Sequence, residues 1–391
     1  MNKDKILRDL ASLIGQNKKQ IIDHNKRDLA NAADLDATLL DRLRVDEKKV
    51  NGMVNAIEEV IRIEDPENKL LDEYRHPNGM LVQNKVVPFG NILIIYESRP
   101  DVTIEAAISA FKAGNRIFLK GGKEAVFTNT FLVGLWHQAL QQNNEDIGFV
   151  TYLNLNRQET QDLIEKNPYR IDLIIPRGGD GLIHYIKSNT SVPLLISGRG
   201  NNFVYVHEDA DFDMAIDIIV NGKSRLSVCN ATDKVLFHRN LPELDSKLSR
   251  LVSRLAAAQI HVLGTPEMNK KNEAIEPVEN EAIFYEEFLA PKILFAAVDS
   301  LEEAIGKINQ FSGGHSASIV CSDEQAAGTF QNKVDCAAVY HNASTRFTDG
   351  GEFGMGAEIA ISTQKLHFRG PLGLSQLVTN KWFVYGNGQI R

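Results

Sequence analysis

The order of hydrophobic and polar residues along the chain predicts alternating strands and helices. Near the amino terminus, apolar residues recur at helical spacing, which predicts an amphipathic helix with Ile6, Leu7, Leu10, Leu13 and Ile14 on its buried face. From residue 90 onward, short unbroken apolar runs predict buried strands at GNILIIY, NRIFLK, FVTYL, IDLIIP and VPLLIS, separated by helical segments. Strands that alternate with helices form parallel sheets covered on both faces, so we expect a doubly wound α/β domain.

A second series of the same kind begins near Asp209. The segment ADFDMAIDIIVNGKSR predicts a helix, KVLFHR a strand and LPELDSKLSRLVSRLAAA another helix. Further strands are predicted at KILFAAV, SASIVC and AAVYHN. The chain is therefore predicted to hold two α/β units.

Residues 73–87, EYRHPNGMLVQNKVV, read as a β-hairpin. Pro-Asn-Gly is a strong turn signal, and the segments on either side of it can pair. The hairpin is largely polar and precedes the first predicted core strand. The hairpin either contacts another subunit or lies on the surface of its own subunit.

Composition and charge narrow the class of protein. The 391 residues are 43% hydrophobic and 24% charged, which is an ordinary globular composition. A net charge of -8 and a pI near 5.7 argue against nucleic acid or an anionic membrane as a partner. The sequence contains no apolar run of the roughly 18 to 20 residues that a membrane helix needs, and no apolar signal core near its start. We expect a cytoplasmic protein.

The three cysteines are too few for a disulfide framework, and their spacing does not suggest a metal site. Cys321 and Cys336 belong to apolar runs and are expected to be buried structural residues. Cys229 differs, because it lies in the polar stretch RLSVCNATDK. Lys223 and Arg225 are close to it in sequence, and cations or helix amides beside a thiol lower its pKa.

Glycine-rich turns follow two of the predicted strands, at LKGGKEA (119–125) and IIPRGGDGL (174–182). Such a turn lets the backbone approach a phosphate, which helix amides then bind. Lys120 and Arg177 add positive charge. Either turn alone is no more than a tight loop in many proteins, but the two together favour a dinucleotide. A nucleophilic thiol beside a dinucleotide forms a thioester or hemithioacetal, and a hydride moves between its carbon and the nicotinamide.

Six segments carry a resemblance to a known family: YESRPDVT (96–103), KAGNRIFLKGGKEA (112–125), PRGGDGL (176–182), VCNA (228–231), HNASTRFTDGGEFGMGAEIAIST (341–363) and RGPLGLSQLVTNKW (369–382). In this order and spacing, the chain resembles the aldehyde dehydrogenase superfamily, and within it the gamma-glutamyl phosphate reductases, over essentially its whole length. The resemblance implies an aldehyde dehydrogenase-like fold with two doubly wound domains and a small β oligomerisation element.

The resemblance also implies roles for individual residues. Cys229 corresponds to the nucleophile, and Ser98 stands where related enzymes have an asparagine that helps hold the oxyanion. The expected cofactor-binding residues are Lys120, which reaches the adenosine ribose, with Gly121 and Gly122 beside it; Arg177, Gly178 and Gly179 at the pyrophosphate; and Glu287 at the nicotinamide ribose. The expected substrate-binding residues are Arg99, Asn342 and Arg346; the alternative for either arginine is a structural ion pair.

Two segments depart from the family pattern. Hydrolytic relatives carry a glutamate that activates water, and the register puts Ser197 at that place, which favours phosphate over water as the acyl acceptor. The chain reads Ser-Gly-Arg-Gly at 197–200 and Ser-Arg-Leu-Ser at 224–227, where the family usually has His-x-Asp-Gly and Gln-Arg-Pro-Gly. Both segments are expected to flank the active site.

The resemblance implies NADPH-dependent reduction of L-glutamyl 5-phosphate to L-glutamate 5-semialdehyde through a cysteine thioester, with NADH as the alternative cofactor. Other activities left open are a phosphate-independent semialdehyde dehydrogenase and a non-catalytic partner of glutamate 5-kinase. The implied domains are residues 1–72 and 88–207 for the dinucleotide, 208–368 for catalysis, and 73–87 with 369–391 for assembly into a homo-oligomer.

Overall fold

A four-stranded and a seven-stranded parallel sheet organise two compact units in a computed structural model that describes residues 1–32, 34–35, 37–226, 228–356 and 358–391. The first unit contains Met1–Ile196, Gly354–Ala360 and Pro371–Arg391. The second contains Ser197–Phe353 and Ile361–Gly370. The predicted α/β class is confirmed, with parallel strands in both sheets.

The first unit begins with the helices α1 (Lys3–Gln16), α2 (Lys18–Asn31), α3 (Ala37–Leu43) and α4 (Glu47–Arg62). It continues with β1 (Leu70–Arg75), β2 (Leu81–Pro88), β3 (Asn91–Tyr96), α5 (Pro100–Lys112), β4 (Arg116–Lys120), α6 (Val126–Gln142), β5 (Val150–Tyr152), α7 (Arg157–Lys166), β6 (Leu173–Arg177) and α8 (Asp180–Asn189). The predicted stripe on α1 is buried at Ile6, Leu7, Leu10 and Ile14. The side chain of Asn2 caps this helix by accepting a hydrogen bond from the amide of Lys5.

The four-stranded sheet has the order β5-β4-β3-β6. The chain proceeds from β3 to β4 and β5 on one side, whereas β6 lies on the other side of β3. Loops at the carboxyl ends of β3 and β6 therefore diverge and leave a crevice, which is where open α/β sheets bind ligands. Both glycine-rich turns begin at this edge, because β4 ends at Lys120 and β6 at Arg177.

The start of α6 is fixed by a buried carboxylate from α2. Asp28, which is 1% exposed, accepts hydrogen bonds from the amides of Phe127 and Thr128 at 3.0 and 2.8 Å and from the Thr128 hydroxyl at 2.5 Å. These amides belong to the first turn of α6 and have no partner within the helix. Since α6 follows the Gly121–Gly122 turn closely, this cap also positions that turn.

The second unit contains β7 (Asn202–Val206), α9 (Phe212–Gly222), β8 (Thr232–His238), α10 (Leu244–Ala257), β9 (His261–Gly264), α11 (Pro266–Lys271), β10 (Glu276–Pro277), β11 (Lys292–Val298), α12 (Leu301–Phe311), β12 (Ser316–Val320), α13 (Glu324–Lys333) and β13 (Ala338–His341). The seven-stranded sheet has the order β10-β9-β11-β8-β7-β12-β13. Short strands β14 (Ala360–Ser362) and β15 (Gly370–Leu372) lie where the sequence passes between units.

Two predictions about this region need correction. The predicted first domain extends to residue 207, whereas β7 pairs with β8 and β12 in the second sheet. A fully apolar strand looks the same in sequence whichever sheet it joins. The predicted strand VPLLIS also fails to form. It makes two isolated bridges, Leu194 to Ile174 in β6 and Ser197 to Ser362, and Pro193 there has no amide hydrogen for a ladder.

The predicted hairpin forms an antiparallel sheet with a carboxyl-terminal strand. β1 pairs with β2, and β2 pairs along its whole length with β16 (Val378–Tyr385). The turn between β1 and β2 holds Gly79 at a φ of 94°, a conformation that glycine adopts readily. In the described ranges, no helix combines the length and apolar character that crossing a membrane requires.

Candidate active site

The turn after β4 is shaped by contacts that only glycine permits. A Cβ atom on Gly121 would lie 2.4 Å from Asn129 Nδ2, and one on Gly122 would lie 2.7 Å from Glu124 Oε2. The ammonium of Lys120 donates to the carbonyl of Gly121 at 2.8 Å. Burial lowers the pKa of Lys120, partly offset by the Glu124 carboxylate. The turn thus places a cation and closely packed backbone at the carboxyl edge of the sheet.

The turn after β6 binds the carboxylate of Glu97, the residue that follows β3. The amide of Gly179, at the start of α8, donates to Oε1 of Glu97 at 2.8 Å. A Cβ atom on Gly178 would lie 2.9 Å from Leu182 Cδ2 and 3.0 Å from the same carboxylate oxygen. Sequence reasoning missed Glu97, although the amide that it satisfies lies in the turn assigned to a pyrophosphate. The sequence does place a carboxylate directly after β3 and a glycine-rich turn after β6, and this pair of features could have predicted their contact.

The turn after β4 opens onto a cavity of about 1310 Å³ in the first unit, whereas Arg177, Gly178 and Gly179 are not among the described residues that line it. Its lining includes Ser98, the Lys120–Glu124 turn, the 154–157 loop after β5 and one face of α8. The volume exceeds the range of 300 to 1,000 Å³ that is usual for small-ligand pockets, so an extended dinucleotide can be accommodated. The confined glycines and the basic side chain of the turn after β4 are features that a dinucleotide phosphate needs, whereas the Gly179 amide at the amino end of α8 is bound to Glu97.

Ser98 and Arg99 follow β3 directly. Ser98 is buried, and its hydroxyl donates to Glu124 Oε2 at 3.3 Å. Arg99 precedes α5 and pairs with Asp101 at 3.3 Å, with 42% of its side chain exposed. Both residues therefore lie at the same sheet edge as the glycine-rich turns.

The thiol of Cys229 belongs to the second unit and lies at the amino edge of the seven-stranded sheet, just before β8. Cys229 is half-buried, whereas Cys321 and Cys336 are buried. Its carbonyl accepts a hydrogen bond from Asn202 Nδ2 at 2.7 Å. Burial raises the pKa of Cys321 and of Cys336 to about 11, which makes these two thiols poor nucleophiles.

The backbone of Gly200 packs against the same carbonyl. A Cβ atom on Gly200 would lie 1.8 Å from the Cys229 oxygen. The amide of Gly200 donates to Oε1 of Glu287 at 2.9 Å, so Gly200 contacts both Glu287 and the backbone of Cys229. Gly198 is equally confined, because its Cβ atom would lie 2.0 Å from Thr363 Cγ2. The 197–200 departure thus holds two close-packed glycines, of which Gly200 lies against the backbone of Cys229 and Gly198 against Thr363. Of the 224–227 departure, Ser227 lies outside the described residues.

Arg346 lies near Cys229 because it is hydrogen-bonded to Asn230, the residue that follows Cys229 in the chain. Its guanidinium donates to Asn230 Oδ1, and the Asn230 amide donates to the carbonyls of Arg346 and Thr348 at 3.1 and 3.0 Å. Burial lowers the pKa of Arg346, and the nearby Arg225 lowers it further, while Asp349 and Cys229 oppose the shift. Arg225 is a second cation near the thiol.

Asn342 lies at the other edge of the sheet. It follows the carboxyl end of β13. Its side-chain oxygen accepts a hydrogen bond from the backbone amide of Cys321 at 3.1 Å, and its side-chain nitrogen donates to the Cys321 carbonyl at 2.9 Å. The residues after Asn342 run back along β12, and the hydroxyl of Ser318 in that strand donates to the Ala343 carbonyl. Arg346 then contacts Asn230. The structure therefore brings Arg346 to Cys229 but leaves Asn342 bound to backbone at the opposite edge.

Comparison with known proteins shows the family of the chain. The profile of the aldehyde dehydrogenase family matches residues 1–272 and 274–357, and the chain belongs to that family. Membership indicates a nicotinamide cofactor. The chain is 42% identical to the gamma-glutamyl phosphate reductase of Caldicellulosiruptor bescii and 41% identical to that of Dictyoglomus thermophilum, in each case over 100% of this chain and 94% of the relative.

Solved structures show the same likeness. The gamma-glutamyl phosphate reductase of Thermotoga maritima is 37% identical, with a TM-score of 0.94 over 100% of this chain and 94% of that one. An acetylating aldehyde dehydrogenase from Geobacillus thermoglucosidasius is 17% identical, with a TM-score of 0.71 over 100% and 93%, and shares the fold. The predicted resemblance and fold class are confirmed.

Proposed function

We propose that the chain is an NADPH-dependent reductase that converts L-glutamyl 5-phosphate to L-glutamate 5-semialdehyde and inorganic phosphate, the second step of proline biosynthesis from glutamate. One observation carries the proposal. The half-buried thiol of Cys229 lies beside Arg346 and the Gly200–Glu287 contact, in a chain 42% identical over its whole length to a gamma-glutamyl phosphate reductase.

In the proposed mechanism, the Cys229 thiolate attacks the acyl carbon of the substrate. The bond from that carbon to the phosphate oxygen breaks, phosphate leaves with the bonding electrons, and a thioester remains on Cys229. When bound, a reduced nicotinamide cofactor supplies the hydride that converts the thioester carbon to a tetrahedral alkoxide. As the alkoxide reforms a carbonyl, the carbon–sulfur bond breaks, which releases the aldehyde and restores the thiolate.

Cationic side chains would support this chemistry. The substrate is anionic at its phosphate and at its α-carboxylate, so we assign Arg346 and Arg99 as its anchors. Arg346 would also favour the thiolate form of Cys229. The amide of Cys229 and the Ser98 hydroxyl are the proposed oxyanion donors. Ser197 cannot act as a general base as a carboxylate does, which disfavours water as the acyl acceptor.

The cavity of the first unit, which Lys120, Gly121 and Gly122 line, supports their part of the cofactor assignment; the roles of the Arg177–Gly179 turn and of Glu287 follow from the family resemblance. Lys120, Gly121 and Gly122 would hold the adenosine ribose, and the Arg177–Gly179 turn the pyrophosphate. Glu287 would hold the nicotinamide ribose. Lys123 and Arg157 also line the cavity, and their positive charge suits the additional phosphate of NADPH.

The direct test runs the reaction backwards. The purified chain is mixed with L-glutamate 5-semialdehyde and NADP⁺, and NADPH absorbance is followed with and without inorganic phosphate. We expect a signal that requires phosphate and falls by at least ~10³-fold in Cys229→Ala, while Cys336→Ala retains it. A signal independent of phosphate would instead identify a hydrolytic semialdehyde dehydrogenase.

Thiol labelling offers a second measurement. At pH 8, a thiol with a pKa of about 11 is only ~0.1% thiolate, so Cys321 and Cys336 should react slowly with iodoacetamide. We expect mass spectrometry to find the first alkylation at Cys229. Labelling of Cys229 no faster than of an exposed model thiol would contradict its role as the nucleophile.

A further inference from the structure

Two consecutive polar residues of β8, Asp233 and Lys234, are buried at 1% and 0% exposure. Lys234 Nζ donates to Asn201 Oδ1 at 2.7 Å and to the carbonyl of Glu286. It also lies 3.7 Å from the ring centroid of Phe288, a cation–π contact. Asp233 accepts from the amide of Phe288 at 2.8 Å and from Lys223 Nζ at 2.5 Å. The two side chains therefore hold the backbone on both sides of Glu287.

Lys234 is bound to the sequence neighbours of both partners of a contact that adjoins the Cys229 carbonyl. On one side it holds the carbonyl of Glu286, next to Glu287; on the other it holds the side chain of Asn201, next to Gly200. Glu287 and Gly200 are themselves joined by the 2.9 Å hydrogen bond, and Gly200 packs on the Cys229 carbonyl. A shift of the Lys234 ammonium would therefore move Glu287 and Gly200 relative to each other.

The arrangement is electrostatically costly. Burial lowers the pKa of Lys234 to about 7; Asp233 and Glu286 oppose that shift, and Lys223 and Lys292 add to it. Burial also lowers the pKa of Lys223, despite its ion pair with Asp233. Apolar side chains of similar volume commonly stabilise a core as well as a buried ionic group does. Packing alone therefore does not account for two buried lysines at this point.

We propose that Lys234 is a positioning residue, which holds Glu287 and the Gly200 peptide in a fixed arrangement beside Cys229. The buried Lys234 ammonium is bound to Asn201, Glu286 and the ring of Phe288, so in this proposal it acts through Glu287 and Gly200. The proposal rests on the proposed function, in which Glu287 binds the nicotinamide ribose.

The test compares Lys234→Met, Glu287→Gln and the double variant, with NADPH binding measured by isothermal titration calorimetry. Methionine keeps the length of the side chain but removes the three donors. We expect each single substitution to raise the Kd for NADPH by about ten-fold, and the double variant to raise it no further, because both changes remove one interaction. The KM for NADPH should rise in parallel, while the KM for the glutamyl substrate stays within about two-fold.

Lys3→Met is the matched control. Lys3 is buried at 7% exposure and donates to Asp65, Glu67 and the Lys112 carbonyl, so its loss removes a similar set of hydrogen bonds from the first unit. We expect it to reduce stability without changing the Kd for NADPH. A Kd that rises as much in Lys3→Met as in Lys234→Met would overturn the proposal, because the effect would then reflect general destabilisation.

Other outcomes separate the two proposals. If Glu287→Gln weakens NADPH binding but Lys234→Met does not, or if their effects multiply, Lys234 is not a positioning residue and the proposed function stands. If Glu287→Gln binds NADPH as the wild type does, the ribose assignment is wrong and the positioning proposal falls with it. Should Lys234→Met not fold, Phe288→Leu replaces it; that variant removes the ring from the ammonium, and we expect a Kd raised about three-fold and no further effect in Glu287→Gln.

Discussion

At the scale of the residue, Gly200 leaves no space for a side chain beside the thiol. Its α-carbon faces the carbonyl of Cys229, and its amide is bound to Glu287. A glycine is required here by close approach of two backbones, since no positive φ is involved. The family resemblance predicts roles for Cys229 and Glu287, whereas the 197–200 segment stands out in the sequence only as a departure from the family pattern. Cys229 and Glu287 each contact the backbone of Gly200, and no pattern of side chains in the sequence reveals a backbone contact.

This contact predicts the effect of Gly200→Ala. A Cβ atom 1.8 Å from the Cys229 oxygen and 2.5 Å from its α-carbon must displace backbone. We expect a loss of about 1–3 kcal/mol in the free energy of unfolding, as for overpacked cores, and a fall of about 100-fold in kcat/KM. Urea denaturation and steady-state kinetics measure the two effects.

Gly306→Ala is the control for that substitution. Gly306 lies within α12, and nothing is within 4 Å of the position of its Cβ atom. Alanine in a helix interior is favoured over glycine by about 1 kcal/mol, so this variant should gain stability and keep its activity. A Gly200→Ala protein as stable and active as the wild type would show that the backbone can relax around the added methyl group.

At the scale of the element, local pattern predicted which segments form strands and helices better than it predicted their partners. Pro100 begins α5, where its missing amide hydrogen has no helical partner to lose. Gly114 follows the helix with a φ of 86°, which glycine adopts readily. By contrast, β7 joined the second sheet, and Asn342 was carried to the edge of that sheet opposite Cys229. Apolar runs encode burial but not strand order, and a loop residue's direction depends on how the chain turns in space.

The cap on α6 gives a prediction at this scale. Asp28→Ala removes the acceptor of the Phe127 and Thr128 amides and of the Thr128 hydroxyl, and leaves them buried without partners. We expect a loss of about 2 kcal/mol in the free energy of unfolding, and weaker NADPH binding because α6 follows the Lys120–Gly122 turn. Chemical denaturation and calorimetry check the two parts.

Asp23→Ala serves as the comparison within α2. Its carboxylate pairs with Lys26 on the exposed surface of that helix, so the substitution should leave the free energy of unfolding unchanged. Equal stability of the Asp28 and Asp23 variants would mean that the start of α6 does not depend on its cap.

At the scale of the whole molecule, the antiparallel sheet of β1, β2 and β16 exposes apolar side chains. Leu70, Leu71, Tyr74, Trp382, Val384 and Tyr385 are 47–56% exposed. The register places Tyr74, Val82 and Val384 opposite one another across the three strands, and Trp382 is on the same face. Exposed apolar patches of this kind mark contacts with other chains, which supports the expected homo-oligomer.

We therefore expect Trp382→Glu to shift the chain from oligomer to monomer in size-exclusion chromatography with light scattering at micromolar concentration. A buried charge at a subunit contact is strongly unfavourable. Ile147→Glu, at a residue 40% exposed elsewhere in the first unit, should leave the assembly unchanged. A wild-type protein that elutes only as a monomer would contradict the expectation.

The pairing of β2 with β16 also has a consequence for synthesis. Asn84 and Asn380 are hydrogen-bonded across these strands, although they are 296 residues apart. A ribosome adds about 5–20 residues per second, so one edge of β2 waits roughly 15–60 s for its partner strand. Meanwhile the residues of the second unit emerge and can fold. The nascent chain thus carries an open strand edge for most of its translation, and we expect ribosome-associated chaperones to protect it.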